Sequence, residues 1–190
     1  MCIRDSTWDA SATSSTVDTI SIAADYTGTI TLEKDLTATT SVTLNNTSGT
    51  LALSESLTSD VFTFATDALL QINIEDTDAS GNNGQLIQNT GTAAPDGILT
   101  VTLDVSVTQS DGLSFDLFNW NGDTTSSQFT EVILPSLDAG LRWNTSLLYT
   151  TGVISIESAP WLGTSKQGYL NAWGEAVSYT HLTLPTICSV

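Results

Sequence analysis

ISIAADYTGTITLEKDLTATTSVTLNNTSGTLAL, residues Ile20 to Leu53, carries the pattern that decides the fold. Its aliphatic residues come in pairs spaced two apart: Ile20/Ile22, Ile30/Leu32, Val42/Leu44 and Leu51/Leu53. The series continues as Phe62/Phe64 and Ile72/Ile74. Each pair advances roughly ten residues on the last, the spacing of all-β chains made of many short strands. Alternation places both members of a pair on one face of a strand. The stretches between are Thr, Ser, Asn, Asp and Gly. Thr suits strands by its branched Cβ, and Gly and Asn suit turns. The longest alternation, Ile98 to Val107, sets Leu99, Val101, Leu103, Val105 and Val107 on an inner face. Thr100, Thr102, Asp104 and Ser106 then face out. A helix would scatter those aliphatics all around its surface, so the segment reads as strand.

The chain is therefore expected to be all-β. Two architectures fit the rhythm: a parallel β-helix, in which short strands make a coil and coils stack, and an antiparallel β-sandwich or barrel. The pairs are short and evenly spaced, and two-residue hairpin turns are few, which favours the β-helix. Gly28, Gly49 and the run Gly81-Asn82-Asn83-Gly84 fit corners between coils. The expected division is a β-solenoid over 7–110, a C-terminal β cap over 111–157 and a linker over 158–175. An open solenoid end exposes unpaired backbone, so a cap is needed.

The two ends mirror one another at the level of DNA. Met1 to Asp5 is encoded by ATG-TGT-ATA-AGA-GAC, whose reverse complement encodes Val177-Ser178-Tyr179-Thr180-His181. That stretch resembles the inserted end of a transposase-based sequencing adapter, and Leu182 to Thr186 reads as its continuation. Residues 1–6 and about 176–190 are thus expected to be translated adapter, and they are set aside from fold reasoning as a tag would be. Both cysteines, Cys2 and Cys188, and the single histidine, His181, fall in or beside these segments. The remainder offers no thiolate nucleophile, disulfide or imidazole base.

Charge narrows the partners. The chain carries −17 overall, and removing Arg4 and Asp5 from the count leaves that balance unchanged. Only Lys34, Arg142 and Lys166 then remain as basic residues. Nucleic acid needs clustered Lys and Arg, and anionic membrane surfaces are disfavoured likewise. No apolar run is long enough to span a bilayer. The acidity suits a secreted chain in salty water, where self-repulsion is screened.

The most distinctive motif runs GLSFDLFNW (Gly112 to Trp120), then NGDTTSSQF (Asn121 to Phe129), then LPSLDAGLRWNTSLLYTTGVISI (Leu134 to Ile156). It resembles the C-terminal end of passenger regions in the autotransporter-associated β-strand repeat family of bacterial surface proteins. YTGTITLEKDLTATTSVTLNNTSGTLAL (Tyr26 to Leu53) is similar to the repeats themselves. The resemblance covers about Ile20 to Ile156. It implies a right-handed parallel β-helix, with the protein extracellular or displayed on the outer-membrane surface of a bacterium. Phe115, Phe118, Trp120, Phe129, Trp143 and Tyr149 gather in the terminal motif, where their bulk suits closure of a solenoid end. A sugar-binding aromatic platform is the rival reading, but aromatic mass is usually core. Pro135 lacks a backbone donor and suits an edge or turn.

Carboxylates are the only plentiful reactive groups. Glu75, Asp76 and Asp78, with Asn82 and Asn83, offer oxygen ligands for calcium. They match neither an EF-hand loop nor a calcium β-roll repeat, so a solvated loop is the plainer reading. Asp104 and Asp116 fall on predicted strands with nothing to set their separation, which a glycosidase requires. Asp96-Gly97, Asp111-Gly112 and Asp138 read as turn residues. Asn46-Thr47-Ser48 and Asn144-Thr145-Ser146 match a glycosylation pattern that arises readily by chance. No catalytic, cofactor or metal residue is therefore assigned, and no cofactor is expected. The expected role is a structural or adhesive stalk without catalysis. Its partners would be extracellular polysaccharide or a neighbouring cell surface, with no nucleic acid and no membrane insertion. The rivals are a carbohydrate-binding β module and a fragment of a β-helical polysaccharide-degrading enzyme.

Overall fold

The computed structural model describes residues 2–3, 15–76, 83–124 and 127–160. The chain divides into a unit Met1–Ser158 and a unit Ala159–Val190. Of the second, only Ala159 and Pro160 are described. The ends expected to be adapter fall outside the described residues, apart from Cys2 and Ile3.

Every regular element described is a strand. In order they are β1 (Cys2–Ile3), β2 (Thr16–Ile22), β3 (Thr29–Leu32), β4 (Leu36–Leu44), β5 (Thr50–Leu53), β6 (Ser56–Phe64), β7 (Leu69–Ile74) and β8 (Gln85–Gln88). There follow β9 (Thr92–Ala94), β10 (Ile98–Leu103), β11 (Ser114–Asp116), β12 (Phe118–Trp120), β13 (Asp123–Thr124), β14 (Glu131–Ile133), β15 (Leu141–Asn144) and β16 (Val153–Ser158). One sheet runs β1-β2-β4-β6-β8-β12, with β9 joining β6 to β13. A second runs β3-β5-β7-β10-β14. From β2 to β7 the chain alternates strictly between the two sheets, one strand in each. Every pairing within both sheets is parallel. An antiparallel sandwich, the alternative left by the periodicity, is thereby set aside. Among the described residues, antiparallel pairing is confined to a three-stranded sheet, β11-β16-β15, and to an isolated bridge between Ile74 and Asn83.

Register explains why the aliphatic pairs recur. Ile20, Val42 and Phe62 stand opposite one another, as do Ile22, Leu44 and Phe64. In the second sheet Ile30, Leu51, Leu70, Leu99 and Val132 form one row. A one-residue slip would turn each row out to water. The inward rows of both sheets merge into one core with Leu32, Leu53, Ile72 and Ile74. Backbone bonding continues past the strand ends. Asn45 donates to Ile22 and Ala65 to Leu44, while Thr50 donates to Gly28 and Ser54 to Leu32. The links are thus in register as well as the strands. Gly28 and Gly49 sit at corresponding places before β3 and β5, as corners should. Buried Asn46 fixes its corner by donating its side-chain amide to the carbonyls of Gly49 and Leu69, each at 2.8 Å.

The alternation from Ile98 fails before its expected end. β10 stops at Leu103. A carboxylate oxygen of Asp104 then accepts the Ser106 amide at 2.8 Å, and its carbonyl accepts that of Val107 at 3.1 Å. This local turn competes with the ladder. It swings Val105, expected inside, fully into solvent, whereas Val107 returns to the core. Parallel pairing also runs past residue 110, where β12, β13 and β14 stack on β8, β9 and β10.

Candidate functional site

A polar recess lies on the outer face of the second sheet, lined by Asn73, Ile74, Glu75, Thr102, Leu103 and Asp104. Pairing of β7 with β10 sets Asn73 opposite Thr102. Glu75 and Asp104 follow one position beyond the next pair, Ile74 and Leu103. Asn73 organises the floor. Its side-chain oxygen accepts from Thr102 Oγ1 and from Gln71 Nε2, each at 2.7 Å. Its Nδ2 donates to Ser54 Oγ at 2.9 Å. One amide thus ties β7, β10 and Ser54, the residue just past β5, and these polar groups satisfy one another. The periodicity put Thr102 on the outer face, but no sequence signal marked Asn73 as a hub. That role needs the lateral neighbours that only strand stacking supplies.

The carboxylates around this face are unequal. Burial raises the Glu55 carboxyl above its ordinary value, and the charges of Asp35 and Glu75 add to the shift. Asp104 moves the other way, because side-chain and backbone hydrogen bonds from Ser106 favour its charged form. Asp35 itself accepts both the amide and the hydroxyl of Ser56. Asp35, Glu75 and Asp104 are exposed and Glu55 is partly buried, and among the described residues no three His, Cys, Asp or Glu side chains are grouped to hold a metal ion.

Of the proposed calcium ligands, Glu75 and Asp76 are exposed, while Asp78 and Asn82 lie outside the described residues. Asn83 Oδ1 is already engaged by the amides of Glu75 at 2.8 Å and Asp76 at 3.1 Å. It ties the base of this segment. Asp116 lies on β11 as expected, whereas Asp104 lies in the turn after β10 rather than on it. The turn aspartates have structural work. Asp96 Oδ1 accepts the Gly97 amide at 2.7 Å and the Thr130 hydroxyl at 3.1 Å. Asp111 accepts the Ser158 amide at 2.9 Å. The peptide of Asp138 accepts from Leu141 at 3.1 Å.

The aromatic motif forms a packed cluster. Phe118 stacks on Trp120, and Phe129 packs against Phe118, Phe64 and Tyr149 at centroid distances of 5.5, 5.7 and 6.2 Å. Trp120 Nε1 donates to the carbonyl of Leu148 at 3.2 Å. Trp143 leans on Phe115 at 6.1 Å, and its Nε1 donates to Pro135 at 2.8 Å. Both indoles are partly buried, and each has its ring N–H engaged by a backbone carbonyl. Both glycosylation-like asparagines are engaged too: Asn46 is buried, and Asn144 accepts the Ser146 amide at 2.9 Å while donating to Glu157.

No family model, curated protein or solved structure matches the chain. Among the described residues no helix is long and apolar enough to cross a membrane.

Proposed function

We propose that this chain is part of a stiff structural or adhesive stalk, built as a right-handed parallel β-helix. One observation carries the reading: successive strands from β2 to β7 fall alternately into two parallel sheets, each strand in register with the one two elements earlier. A chain winding in coils would take such a path, and parallel crossovers are right-handed in nearly all proteins. Stiffness follows from continuous backbone ladders and aliphatic rows, with a wall of Thr and Ser outside. Asn73 and Thr102 in the polar recess bind each other, and Phe118, Trp120 and Phe129 pack together, which favours a structural role for these groups. The terminal aromatic motif, Gly112 to Ile156, is the stretch that resembles surface-displayed passenger regions. The natural setting would be the outside of a bacterial cell, with polysaccharide or a neighbouring surface as partner.

Deleting residues 36–55, one β4–β5 repeat, tests the winding. A β-helix re-forms with β6 on β2 and β7 on β3, and the shortened chain unfolds cooperatively with an unchanged β-type circular dichroism spectrum. A shortened chain without cooperative unfolding would mean that the segments are not interchangeable coils. Function is tested by incubating the chain with bacterial and algal polysaccharides. Release of reducing ends would replace the stalk with the enzyme reading.

A further inference from the structure

We propose that Asn121 is a site of spontaneous covalent modification, where the folded chain converts asparagine to aspartate and isoaspartate. The chain contains two Asn-Gly pairs, Asn83-Gly84 and Asn121-Gly122. In such a pair no Cβ screens the following peptide nitrogen. That nitrogen is therefore open to attack the asparagine side-chain carbon. The fold demands both glycines. A Cβ on Gly84 would fall 2.0 Å from the Leu53 carbonyl oxygen, and one on Gly122 would fall 2.6 Å from that of Gly91. Packing thus fixes glycine at both places, and the asparagines make the difference.

Asn83 is held against reaction. It is buried, and its Oδ1 accepts the amides of Glu75 and Asp76. Gly84, which would supply the attacking nitrogen, donates its N–H to the Asn73 carbonyl at 2.8 Å. These three hydrogen bonds must open before nitrogen and carbon can meet. Asn121 is exposed, in the link between β12 and β13. Its peptide N–H donates to the Gln88 carbonyl at 3.3 Å. That bond anchors the backbone and engages neither reacting atom.

The Gly122 nitrogen bonds to Asn121 Cγ, the Cγ–Nδ2 bond breaks, and ammonia leaves with the proton of the Gly122 N–H. Water then opens the cyclic imide at either carbonyl. One opening gives aspartate. The other routes the main chain through the side-chain carbon and gives isoaspartate. Either product adds negative charge to a chain already at −17. Isoaspartate also lengthens the main chain by a methylene group. The link is pinned on both sides, with Trp120 opposite Gln88 and Asp123 opposite Thr92. The added atom therefore disturbs the pairing of β13 with β9. The inference holds whatever becomes of the stalk reading.

Incubating the full, folded chain at mildly alkaline pH tests it, with timed digests read by mass spectrometry and by isoaspartyl methyltransferase labelling. The Asn121 peptide should gain the mass expected when an amide becomes an acid, and should accept methyl groups. The Asn83 peptide should convert more slowly by about tenfold or more, because its hydrogen bonds must open first. In concentrated urea the two rates should approach one another, since the fold alone separates them. Chains bearing isoaspartate should exchange the amides of 121–124 faster, with β4 and β6 unchanged. Asn121→Gln, which alters no group that the packing uses, should abolish the fast conversion. Folded Asn83 converting as fast as Asn121, Asn121 left intact while the urea-unfolded chain reacts, or labelling undiminished in Asn121→Gln would each overturn the proposal. Unchanged exchange at 121–124 would overturn the disturbance of β13.

Discussion

The carbonyl oxygen of Gly152 accepts the backbone amide of Phe118 at 3.1 Å, and a Cβ built on Gly152 would fall 1.7 Å from the carbonyl oxygen of Phe118. The turn before β16 thus lies directly on β12, the strand that ends the first sheet. Sealing that edge demands a residue with no side chain. Gly152 also has φ +81°, where other residues are strained.

Gly152→Ala should therefore destabilise the fold by about 2–4 kcal/mol, combining left-handed strain with displacement of β12. Gly112→Ala is the control. Its φ is +88°, yet nothing lies within 4 Å of the added Cβ, so only about 1–2 kcal/mol should be lost. Urea unfolding of both variants checks the difference. Equal losses would mean that the close approach of Gly152 to Phe118 is unimportant.

Trp143→Ala removes the half-buried indole packed on Phe115 and its bond to Pro135. A loss of about 2–4 kcal/mol is expected from the cavity and the missing hydrogen bond. A melting curve like that of the unaltered chain would show that the third sheet adds nothing to stability.

Glu55 makes stability depend on pH. Its folded carboxyl titrates above the value it has unfolded, because of burial first and then Asp35 and Glu75. The folded state therefore holds the proton more tightly. The stability it contributes is complete below the unfolded pKa and is lost as pH rises through the folded one. Glu55→Gln should be more stable than the unaltered chain at pH 7 and lose less stability between pH 4 and pH 7. Urea midpoints across that range decide it, and parallel curves would refute the assignment.

Asn83→Ala should free the amides of Glu75 and Asp76, which now share its Oδ1. A cost of about 1–2 kcal/mol follows from two lost bonds on a partly exposed segment. Hydrogen exchange at those two amides should accelerate. Calcium should give no thermal stabilisation, because this oxygen is already committed. A rise in melting temperature with calcium would restore the ligand reading for Glu75, Asp76 and Asp78.

The sequence by itself determined the strands and their buried faces. The pairs from Ile20/Ile22 to Ile72/Ile74 are inward on the strands where they fall, because side-chain alternation is a property of one extended segment and needs no partner. Parallel pairing, the hub at Asn73, the tie at Asn83 and the seal at Gly152 were decided only by tertiary structure. Each depends on which strand lies alongside, and the periodicity of one strand is silent about its neighbour. Val105 shows the limit within a single segment. Its alternation was unbroken, yet a hydrogen bond from Ser106 to Asp104 outcompeted the ladder, since a local bond closes without the entropy of bringing distant segments together.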